Sequence, residues 1–403
     1  MKYIVILGDG MADYPIEELG GKTPLQIAKK PNMDFIAQHG MTGLVKTIPD
    51  GLKPGSDTAN LSVLGYDPKV YYSGRSPLEA VSMGITLNDN DVTYRCNLVN
   101  LSAEDNFYES TMIDYSSDEI TTEESKVLID YLNKNLKCEG FNLYAGISYR
   151  HCLVLRDAAT GADLTPPHDI SKKKIKEYLP KGQNSELLLD LMKRSYKLLK
   201  DHPINKAREE RGLKAANSMW FWGEGTKPKL PPFSEKFKLR GAVVSAVDLI
   251  KGIGICAGMK SIDVEGATGT INTNFSGKAK AVIDILNEGY DFVYVHIEAP
   301  DECGHRNELN EKIKAISLID EKIIGPIIKS LNDKKEDYAI MVLPDHPTPL
   351  SINTHTSDPV PFAIYKSSKK LNGAADAYDE KSAAKTGIFI DPGHKLLDFF
   401  FNC

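Results

Sequence analysis

The sequence predicts an α/β protein with a mostly parallel sheet flanked by helices, into which a smaller α+β domain is inserted. The first observation is a strand, a helix and a strand in succession between residues 292 and 343, which is typical of a parallel βαβ unit. The second is a middle region whose strands do not end in Asp or His, unlike the other strands. The third is the length of 403 residues, which exceeds one usual hydrophobic core and favours two domains.

Composition and charge exclude several classes of protein. Hydrophobic residues make up 41% of the chain and charged residues 26%, as in a globular protein. The net charge of −6 argues against a nucleic-acid partner, which usually requires a basic excess. The apolar run at residues 3–7 is too short for a signal peptide, and no run of about 18 apolar residues indicates a membrane span. Six scattered cysteines without a C-x-x-C pair argue against disulfides or structural zinc, so we expect a cytoplasmic protein.

The first predicted element is a buried strand in YIVILGDGM, which places Asp9 at its C-terminal end. The stretch KPGSDTAN then predicts a turn at Pro54 and Gly55, followed by a short helix that Ser56 opens. A serine at that position commonly caps the helix. It could instead be a nucleophile whose phosphoryl group lies on the positive helix end. The stretch alone favours the cap, because caps are far more common than nucleophiles.

The middle of the chain predicts the inserted domain. The stretches that favour strands or helices are residues 91–101, 122–136, 141–155 and 184–209. We expect residues 76–214 to form this α+β domain, with residues 1–75 and 215–403 forming the other domain. The segment NSMWFWGEGTKPKLPPF follows the second boundary, and its Pro, Gly and aromatic residues predict a loop that crosses between the domains.

Acidic and histidine residues follow two predicted strands near the C-terminus. The strand in DFVYVHI is followed by Asp301 and His305, whose spacing places both on one side of a helical turn. The strand in YAIMVL is followed by Asp345 and His346, and His355 lies a little further on. The segment at residues 307–331 between these strands has the apolar spacing of a helix. Ligands of parallel sheets bind outside the carboxyl ends of the strands, so we expect these side chains to lie close together.

Each of these motifs is weak when it is taken alone. Gly-Asp-Gly is often only a turn, and an Asp-His pair before proline can cap a neighbouring segment. Their occurrence at three strand ends, one of which carries Asp9, favours a site for two metal ions. Mixed carboxylate and imidazole ligands suit Mn²⁺ or Zn²⁺ better than Mg²⁺.

A family resemblance rests on blocks distributed along nearly the whole chain. The blocks read GDGMADYPIEELGGKTPLQIAKKPNMD, GLKPGSDTANLSVLGYDP, YYSGRSPLEA, SYRHCLVL, LTPPHDI, GAVVSAVDLIKGIG, HIEAPDECGH, PDHPTP and HTSDPVP. In their content, order and spacing the chain resembles the archaeal type of 2,3-bisphosphoglycerate-independent phosphoglycerate mutases, within the alkaline-phosphatase-like metalloenzymes. The resemblance implies an alkaline-phosphatase-like core that binds metal and carries the catalytic groups.

The resemblance implies two divalent metal ions, Mn²⁺ first with Zn²⁺ and Mg²⁺ as alternatives, and no 2,3-bisphosphoglycerate. The implied ligands are Asp9, Ser56, Asp345 and His346 for one ion, and Asp301, His305 and His355 for the other. Ser56 would be the nucleophile and would carry the phosphoryl group between 3-phosphoglycerate and 2-phosphoglycerate. A bound metal ion would lower the pKa of its hydroxyl, which is otherwise a poor nucleophile at neutral pH.

A mutase must also hold the dephosphorylated hydroxy acid, which calls for cations that bind a carboxylate. Arginine forks suit carboxylates and phosphates. The candidate substrate-binding residues are Arg75, Arg95, Arg150 and His151 in the inserted region, and Lys251 in the other domain. The predicted partner is a small phosphorylated hydroxy acid, without nucleic acid or membrane.

Two features leave the substrate open. The first strand ends in Leu-Gly-Asp-Gly where archaeal-type members have Leu-Asp-Gly, and this feature and NSMWFWGEGTKPKLPPF resemble a bacterial branch of the family. Members of that branch have been proposed to be homoserine kinases. The alternatives are therefore a homoserine kinase-like phosphotransferase on the same scaffold and a metal-dependent phosphatase.

Overall fold

The structure is a computed structural model that describes residues 1–136 and 140–403. Cys138, one of the six cysteines, lies outside the described residues. The strands in chain order are β1 (Lys2–Gly8), β2 (Met41–Val45), β3 (Val92–Leu101), β4 (Met112–Asp114), β5 (Phe141–Tyr144), β6 (Arg150–Leu155), β7 (Ala162–Asp163), β8 (Lys181–Gly182), β9 (Ser218–Thr226), β10 (Gly241–Val244), β11 (Lys260–Ile262), β12 (Phe292–Ile297), β13 (Tyr338–Leu343), β14 (Val360–Lys366) and β15 (Phe389–Ile390).

Helices fill most of the connections between these strands. They are α1 (Pro24–Ile27), α2 (Pro31–His39), α3 (Ser56–Val63), α4 (Pro68–Tyr71), α5 (Ser76–Ser82), α6 (Thr122–Asn135), α7 (Ser185–Leu199), α8 (Pro203–Glu210), α9 (Phe233–Phe237), α10 (Asp248–Cys256), α11 (Phe275–Asn287), α12 (Ala299–His305), α13 (Leu309–Ile319), α14 (Gly325–Asp333), α15 (Glu380–Lys385) and α16 (Leu396–Asn402). In the described part of the chain, none of them combines the length and the apolar character that a membrane crossing requires.

The chain divides into two compact units. The first comprises Met1–Tyr72 and Lys229–Cys403, and the second comprises Ser73–Pro228. The second unit therefore extends beyond the predicted range of 76–214 at both ends. The larger difference is at the C-terminal end, because the segment predicted as a crossing loop contains β9, which pairs antiparallel with β3. Its apolar side chains are buried in the core of that unit, which accounts for the extra strand.

The first unit is built on an eight-stranded sheet in the order β11-β10-β12-β1-β13-β14-β2-β15. The five strands from β11 to β13 are parallel, and β14 alone runs antiparallel to both of its neighbours. β12 and β13 are buried along their whole length, as expected for strands covered by helices on both faces. The predicted mostly parallel α/β core is confirmed.

The second unit has its own antiparallel sheet and hydrophobic core. Four strands of the sheet have the order β4-β3-β6-β5, and β9 also pairs with β3. β7 and β8 form a separate two-stranded ribbon. Apolar residues of α6 and α7 pack in the same cluster as those of β3, β6 and β9. The predicted α+β character of the insert agrees with this arrangement.

Two predicted helices are interrupted. The segment at 307–331 forms α13 and α14, with a π-helical turn at Asp320–Ile324 between them. The segment at 184–209 breaks between α7 and α8, because Pro203 has no N–H for a continued helix and begins the second helix instead.

Candidate active site

The candidate site lies where three neighbouring parallel strands of the eight-stranded sheet end. β1 runs parallel to β12 on one side and to β13 on the other. Asp9 follows β1, Asp345 and His346 follow β13, and Asp301 lies in α12, which follows β12. All four side chains are buried. The topology thus brings together residues that are far apart in sequence, because parallel strands end at the same edge of a sheet.

Asp9, Asp345 and His346 form the first group of metal-ligand side chains. One ligand atom of each lies within 4.8 Å of the others. The Nε2 atom of His346 is 3.6 Å from Oδ1 of Asp9 and 3.4 Å from Oδ2 of Asp345. Asp345 and His346 both reach the group although they are adjacent, because the regular strand has already ended at Leu343.

Asp301 and His355 form a second group that shares His346 with the first. The Nε2 atom of His355 is 3.3 Å from Oδ1 of Asp301. His305 joins them, since its Nε2 atom is 3.2 Å from Oδ2 of Asp301 and 2.9 Å from Nε2 of His355. The ring centroids of His346 and His355 are 4.0 Å apart, so the two groups are contiguous. The structure brings together all six predicted Asp and His ligands.

Ser56 is the first residue of α3, and its hydroxyl faces the first group. Its Oγ atom lies 3.2 Å from Nε2 of His346 and 3.4 Å from Oδ2 of Asp9. Gly55 occupies the N-cap position, and no side chain in the described part of the chain caps the helix there. These hydrogen bonds of Ser56 join it to side chains of the site, so the cap interpretation receives no support from the described contacts.

Burial and hydrogen bonding shift the pKa values of these groups in different directions. Burial raises the pKa of Asp9 well above its usual value, and the neighbouring carboxyl groups of Asp345 and Asp301 raise it further. Burial also acts to raise the pKa of Asp301, but hydrogen bonds with His305 and His355 outweigh it and hold that pKa well below its usual value. The hydrogen bond with Asp301 raises the pKa of His305 to about 9. This buried acidic cluster therefore favours a bound positive charge.

A pair of divalent cations fits these residues. The Oδ1 atom of Asp9 is buried and has no hydrogen-bond partner among the described residues, which is costly for a carboxylate oxygen. The Nε2 atoms of His305 and His355 converge near Asp301. Each Nε2 atom has a lone pair for a metal ion in the tautomer that carries its proton on Nδ1. Carboxylate oxygens and imidazole nitrogens are ligands that Mn²⁺ and Zn²⁺ accept.

Sequence reasoning missed three buried residues that contact the predicted ligands, and a fourth that contacts one of these three. His296 lies 2.9 Å from Asp9, and Thr348 donates a hydrogen bond to Asp301. Asn60 donates to Asp345 over 2.9 Å, and Tyr294 donates to Asn60 in turn. A signal was available for two of them, because Tyr294 and His296 alternate with valines in an otherwise apolar strand. That period of two places both on one face of β12.

The inserted unit brings three predicted arginines to one region of its sheet. Glu79 lies between two of them, since its carboxylate oxygens are 2.8 Å from Nε of Arg75 and 2.9 Å from Nε of Arg95. The guanidinium of Arg95 also stacks on Trp222, 4.1 Å from the ring centroid. Arg150 is exposed and shares the sheet face of Arg95, because it pairs with the residue two positions after Arg95 in β3.

The other two substrate-binding candidates lie elsewhere. His151 pairs with Cys96, so it faces the packed side of the sheet, opposite to Arg150. Its Nδ1 atom accepts a hydrogen bond from the Gly146 backbone, and burial lowers its pKa to about 3. Lys251 lies in α10 of the first unit, where its amine is 2.6 Å from Asp263. The structure therefore does not bring His151 to the arginine face, and Lys251 has a local carboxylate partner.

Two family models match parts of the chain. The model for 2,3-bisphosphoglycerate-independent phosphoglycerate mutase matches residues 37–205. The model for type I phosphodiesterase and nucleotide pyrophosphatase matches residues 172–352. Together the two matched regions contain Ser56, the inserted unit and the strand ends that carry Asp301 and Asp345.

Full-length relatives and solved structures resemble the chain. A 2,3-bisphosphoglycerate-independent phosphoglycerate mutase from Methanosarcina barkeri is 53% identical over 398 residues, which cover 98% of both chains. A solved structure of a protein from Pyrococcus horikoshii is 31% identical, with a TM-score of 0.83 and coverage of 100% of this chain and 96% of that chain. The cofactor-independent phosphoglycerate mutase from Thermoplasma acidophilum is 27% identical, with a TM-score of 0.69 and coverage of 100% and 99%.

Proposed function

Since the chain belongs to the family of 2,3-bisphosphoglycerate-independent phosphoglycerate mutases, we propose that it interconverts 3-phosphoglycerate and 2-phosphoglycerate through a phosphoserine at Ser56. The observation that carries this proposal is the position of the Ser56 hydroxyl, 3.2 Å from His346 within a buried group of carboxylates and imidazoles. A serine in such surroundings is suited to metal-assisted nucleophilic attack. The cytoplasmic location and the absence of nucleic-acid and membrane partners stay predictions.

The metal ligands proposed for this reaction follow the two groups of side chains. Asp9, Asp345 and His346 with Ser56 would hold one divalent ion, and the second would be held by Asp301, His305 and His355. When bound, the two ions lower the pKa of the serine hydroxyl and offset the negative charge of the phosphoryl oxygens. We propose Mn²⁺, because both groups combine carboxylates with imidazoles.

Ser56 is proposed to accept and return a phosphoryl group. In the first half of the reaction its oxygen forms a bond to phosphorus as the ester bond to the glycerate oxygen breaks, and the proton lost by Ser56 balances the one gained by glycerate. In the second half the other glycerate hydroxyl attacks the phosphoserine, and Ser56 regains its proton. The backbone N–H groups at the start of α3 favour the attached phosphate in between.

The arginines of the inserted unit are proposed to bind the carboxylate of the glycerate. Arg75 and Arg95 are both held by Glu79, and Arg150 lies on the same sheet face as Arg95. A guanidinium presents several N–H donors in a fixed plane, which suits a planar carboxylate. Glycerate held in this way would be retained while its phosphate is on the serine, which a phosphatase does not require.

One assay separates the mutase from its alternatives. The purified protein with Mn²⁺ and 3-phosphoglycerate, but without 2,3-bisphosphoglycerate, is expected to form 2-phosphoglycerate, measured by coupling to enolase. A parallel reaction offers homoserine and a phosphate donor, and a third measures release of inorganic phosphate. Mutase turnover well above the other two rates supports the proposal. Phosphohomoserine or free phosphate as the main product, without 2-phosphoglycerate, would contradict it.

A further inference from the structure

The two carboxylate oxygens of Asp9 have different surroundings. Oδ2 lies 2.9 Å from Nε2 of His296 and 3.4 Å from the hydroxyl of Ser56. Oδ1 is buried, lies 3.6 Å from Nε2 of His346, and has no hydrogen-bond partner within residues 1–136 and 140–403. The hydrogen bonding of Asp9 is therefore concentrated on the oxygen that faces β12, and the other oxygen remains available on the side of the metal-ligand group.

A chain of hydrogen bonds determines which nitrogen of His296 carries the proton. As a metal ligand Asp9 is an ionised carboxylate, which only accepts hydrogen bonds, so the nitrogen of His296 that lies 2.9 Å from it is the donor. His296 is 0% exposed, and a neutral imidazole that donates from Nε2 accepts a hydrogen bond at Nδ1. Ser245 lies 3.3 Å from that Nδ1 atom and accepts the backbone N–H of Val247 over 3.0 Å, which leaves its own proton for His296.

We propose that Ser245 and His296 form a relay of positioning residues that orients Asp9 for metal binding. Ser245 selects the tautomer of His296, and His296 binds Oδ2 of Asp9, so that Oδ1 is presented to the ion together with Asp345 and His346. Such outer partners of metal ligands fix the ligand's orientation, and their loss typically lowers metal affinity by about 10–100-fold. The proposal rests on the two-metal site of the proposed function.

The position of the relay favours this role over one of simple packing. His296 extends from the same face of β12 as Tyr294, which holds Asp345 through Asn60. One strand therefore supports both carboxylates of the first group, and neither contact belongs to the second group of ligands. The relay is expected to affect one of the two ions and to leave the other unchanged.

Mn²⁺ binding to the metal-free full-length protein tests the relay. Free Mn²⁺ is measured by electron paramagnetic resonance during titration, which gives the number of sites and their affinities without an activity assay. His296→Gln retains an N–H donor near the position of Nε2, whereas His296→Met has a similar length and no donor. We expect two sites in the parent protein, affinities within about threefold of the parent in His296→Gln, and one site weakened by roughly 10–100-fold in His296→Met.

Two further variants separate orientation from folding. Val295→Ala changes the neighbouring, oppositely directed side chain of β12 and is expected to lower thermal stability without changing Mn²⁺ affinity. Ser245→Ala removes the partner of His296 and is expected to weaken Mn²⁺ binding at the same single site. In the His296→Gln background it should have no further effect, because a glutamine side chain has no tautomers for Ser245 to select. If His296→Met does not fold, this pair of Ser245 variants is the deciding measurement.

The outcomes distinguish the relay from the function on which it rests. A parent protein that binds no Mn²⁺ would contradict the two-metal function and the relay with it. A parent that binds two ions, with unchanged affinities in His296→Met or Ser245→Ala, would overturn the relay alone. Equal weakening in His296→Gln and His296→Met would also overturn it, because the donated hydrogen bond would then have no effect.

Discussion

At the residue scale, the hydroxyl of Ser56 is the group on which the proposed chemistry depends. Ser56→Ala should abolish mutase turnover, because no other atom of the side chain can form the phosphoryl ester. The matched control is Ser62→Ala in the same helix, since Ser62 is buried and its hydroxyl has no described hydrogen-bond partner. The measurement combines enolase-coupled turnover with mass spectrometry of the phosphorylated peptide. Substantial activity in Ser56→Ala would return Ser56 to a structural role.

Arg150 provides a test of the proposed carboxylate site. Its side chain is exposed and lies over the ring of Tyr149, so Arg150→Ala should leave the fold intact. The variant loses a charge-assisted hydrogen bond to the substrate, which is worth roughly 1.5–3 kcal/mol of binding free energy. Its mutase activity should therefore fall by about 10–100-fold. Hydrolysis of a small aryl phosphate, which has no carboxylate, should change far less. Arg194→Ala on α7 is the control, and equal losses in both reactions would remove Arg150 from the substrate site.

Glu380 is expected to make stability depend on pH. It accepts hydrogen bonds from Thr23 and from the backbone of Asp13, and burial raises its pKa from 4.5 to about 7. Folding thus favours the protonated acid. The free energy of unfolding therefore falls as the pH rises from about 4.5 through 7, and it stays at the lower value above that range. Glu380→Gln resembles the protonated acid and should reduce this fall by ~1–2 kcal/mol.

The measurement for Glu380 is denaturant unfolding of parent and variant at pH 5 and pH 8. The exposed Glu288→Gln is the control, because its carboxylate lies at the surface beside Lys260 and should leave the pH dependence unchanged. A variant whose stability falls as steeply as that of the parent would show that Glu380 does not hold its proton in the folded state.

At the scale of elements, the π-helical turn between α13 and α14 stabilises the start of α2. Oδ1 of Asp320 accepts the backbone N–H of Met33 over 2.7 Å, and Oδ2 accepts the side-chain amide of Asn32 over 2.8 Å. The N-cap residue of α2, Lys30, makes no side-chain cap of its own. Asp320 therefore supplies a cap from a distant part of the chain, satisfying a backbone N–H that the helix cannot satisfy itself.

Removal of this long-range cap should destabilise the protein without changing its chemistry. Asp320→Ala leaves a buried N–H group without an acceptor and is expected to lower the free energy of unfolding by ~1–3 kcal/mol. Denaturant unfolding measures the change, and Asp333→Ala at the exposed end of α14 is the control. Turnover of the folded protein should stay within about twofold of the parent. A loss of stability no larger than that of the control would mean that Asp320 does not cap α2.

The sequence predicts elements well where one local signal decides them. β1, β12 and β13 are largely apolar runs, and the strand ends indicate Asp9, Asp301 and Asp345. The same reasoning missed the π-helical turn, because the apolar spacing of residues 307–331 contains no sign of the distant backbone groups that Asp320 binds. It also missed His296, because the alternation in β12 indicates its face of the strand but not its contacts with Ser245 and Asp9, which follow other strands. Contacts between distant elements leave little trace in local periodicity.

At the scale of the whole molecule, the division into two units separates two kinds of chemistry. The first unit contains both groups of metal-ligand side chains and Ser56, and the second contains Arg75, Arg95 and Arg150. The boundary was harder to predict than the existence of the insert. The cause is β9, in which adjacent aromatic residues and two glycines resemble a loop, whereas Trp220 and Phe221 are buried in the core of the second unit.

The second unit should fold on its own only when β9 is included. Its chain enters and leaves side by side, because Thr226 donates its backbone N–H to Ser73 over 3.1 Å and the hydroxyl of Ser73 donates to Thr226 over 2.6 Å. Since it also has its own core, a fragment of residues 73–228 should give a cooperative thermal transition and a dispersed NMR spectrum.

The matched fragment is residues 76–214, which retains the rest of the sheet but lacks β9. Its strand β3 would lose the antiparallel partner along which residues 92–99 are paired, and its core would lose Trp220 and Phe221. Removing a buried aromatic side chain typically costs about 3–5 kcal/mol. The total cost of losing two such side chains together with an edge of the sheet therefore exceeds the free energy of unfolding of most small domains. The shorter fragment should therefore be unfolded or aggregated. Equal cooperativity in the two fragments would place the boundary of the folding unit before β9.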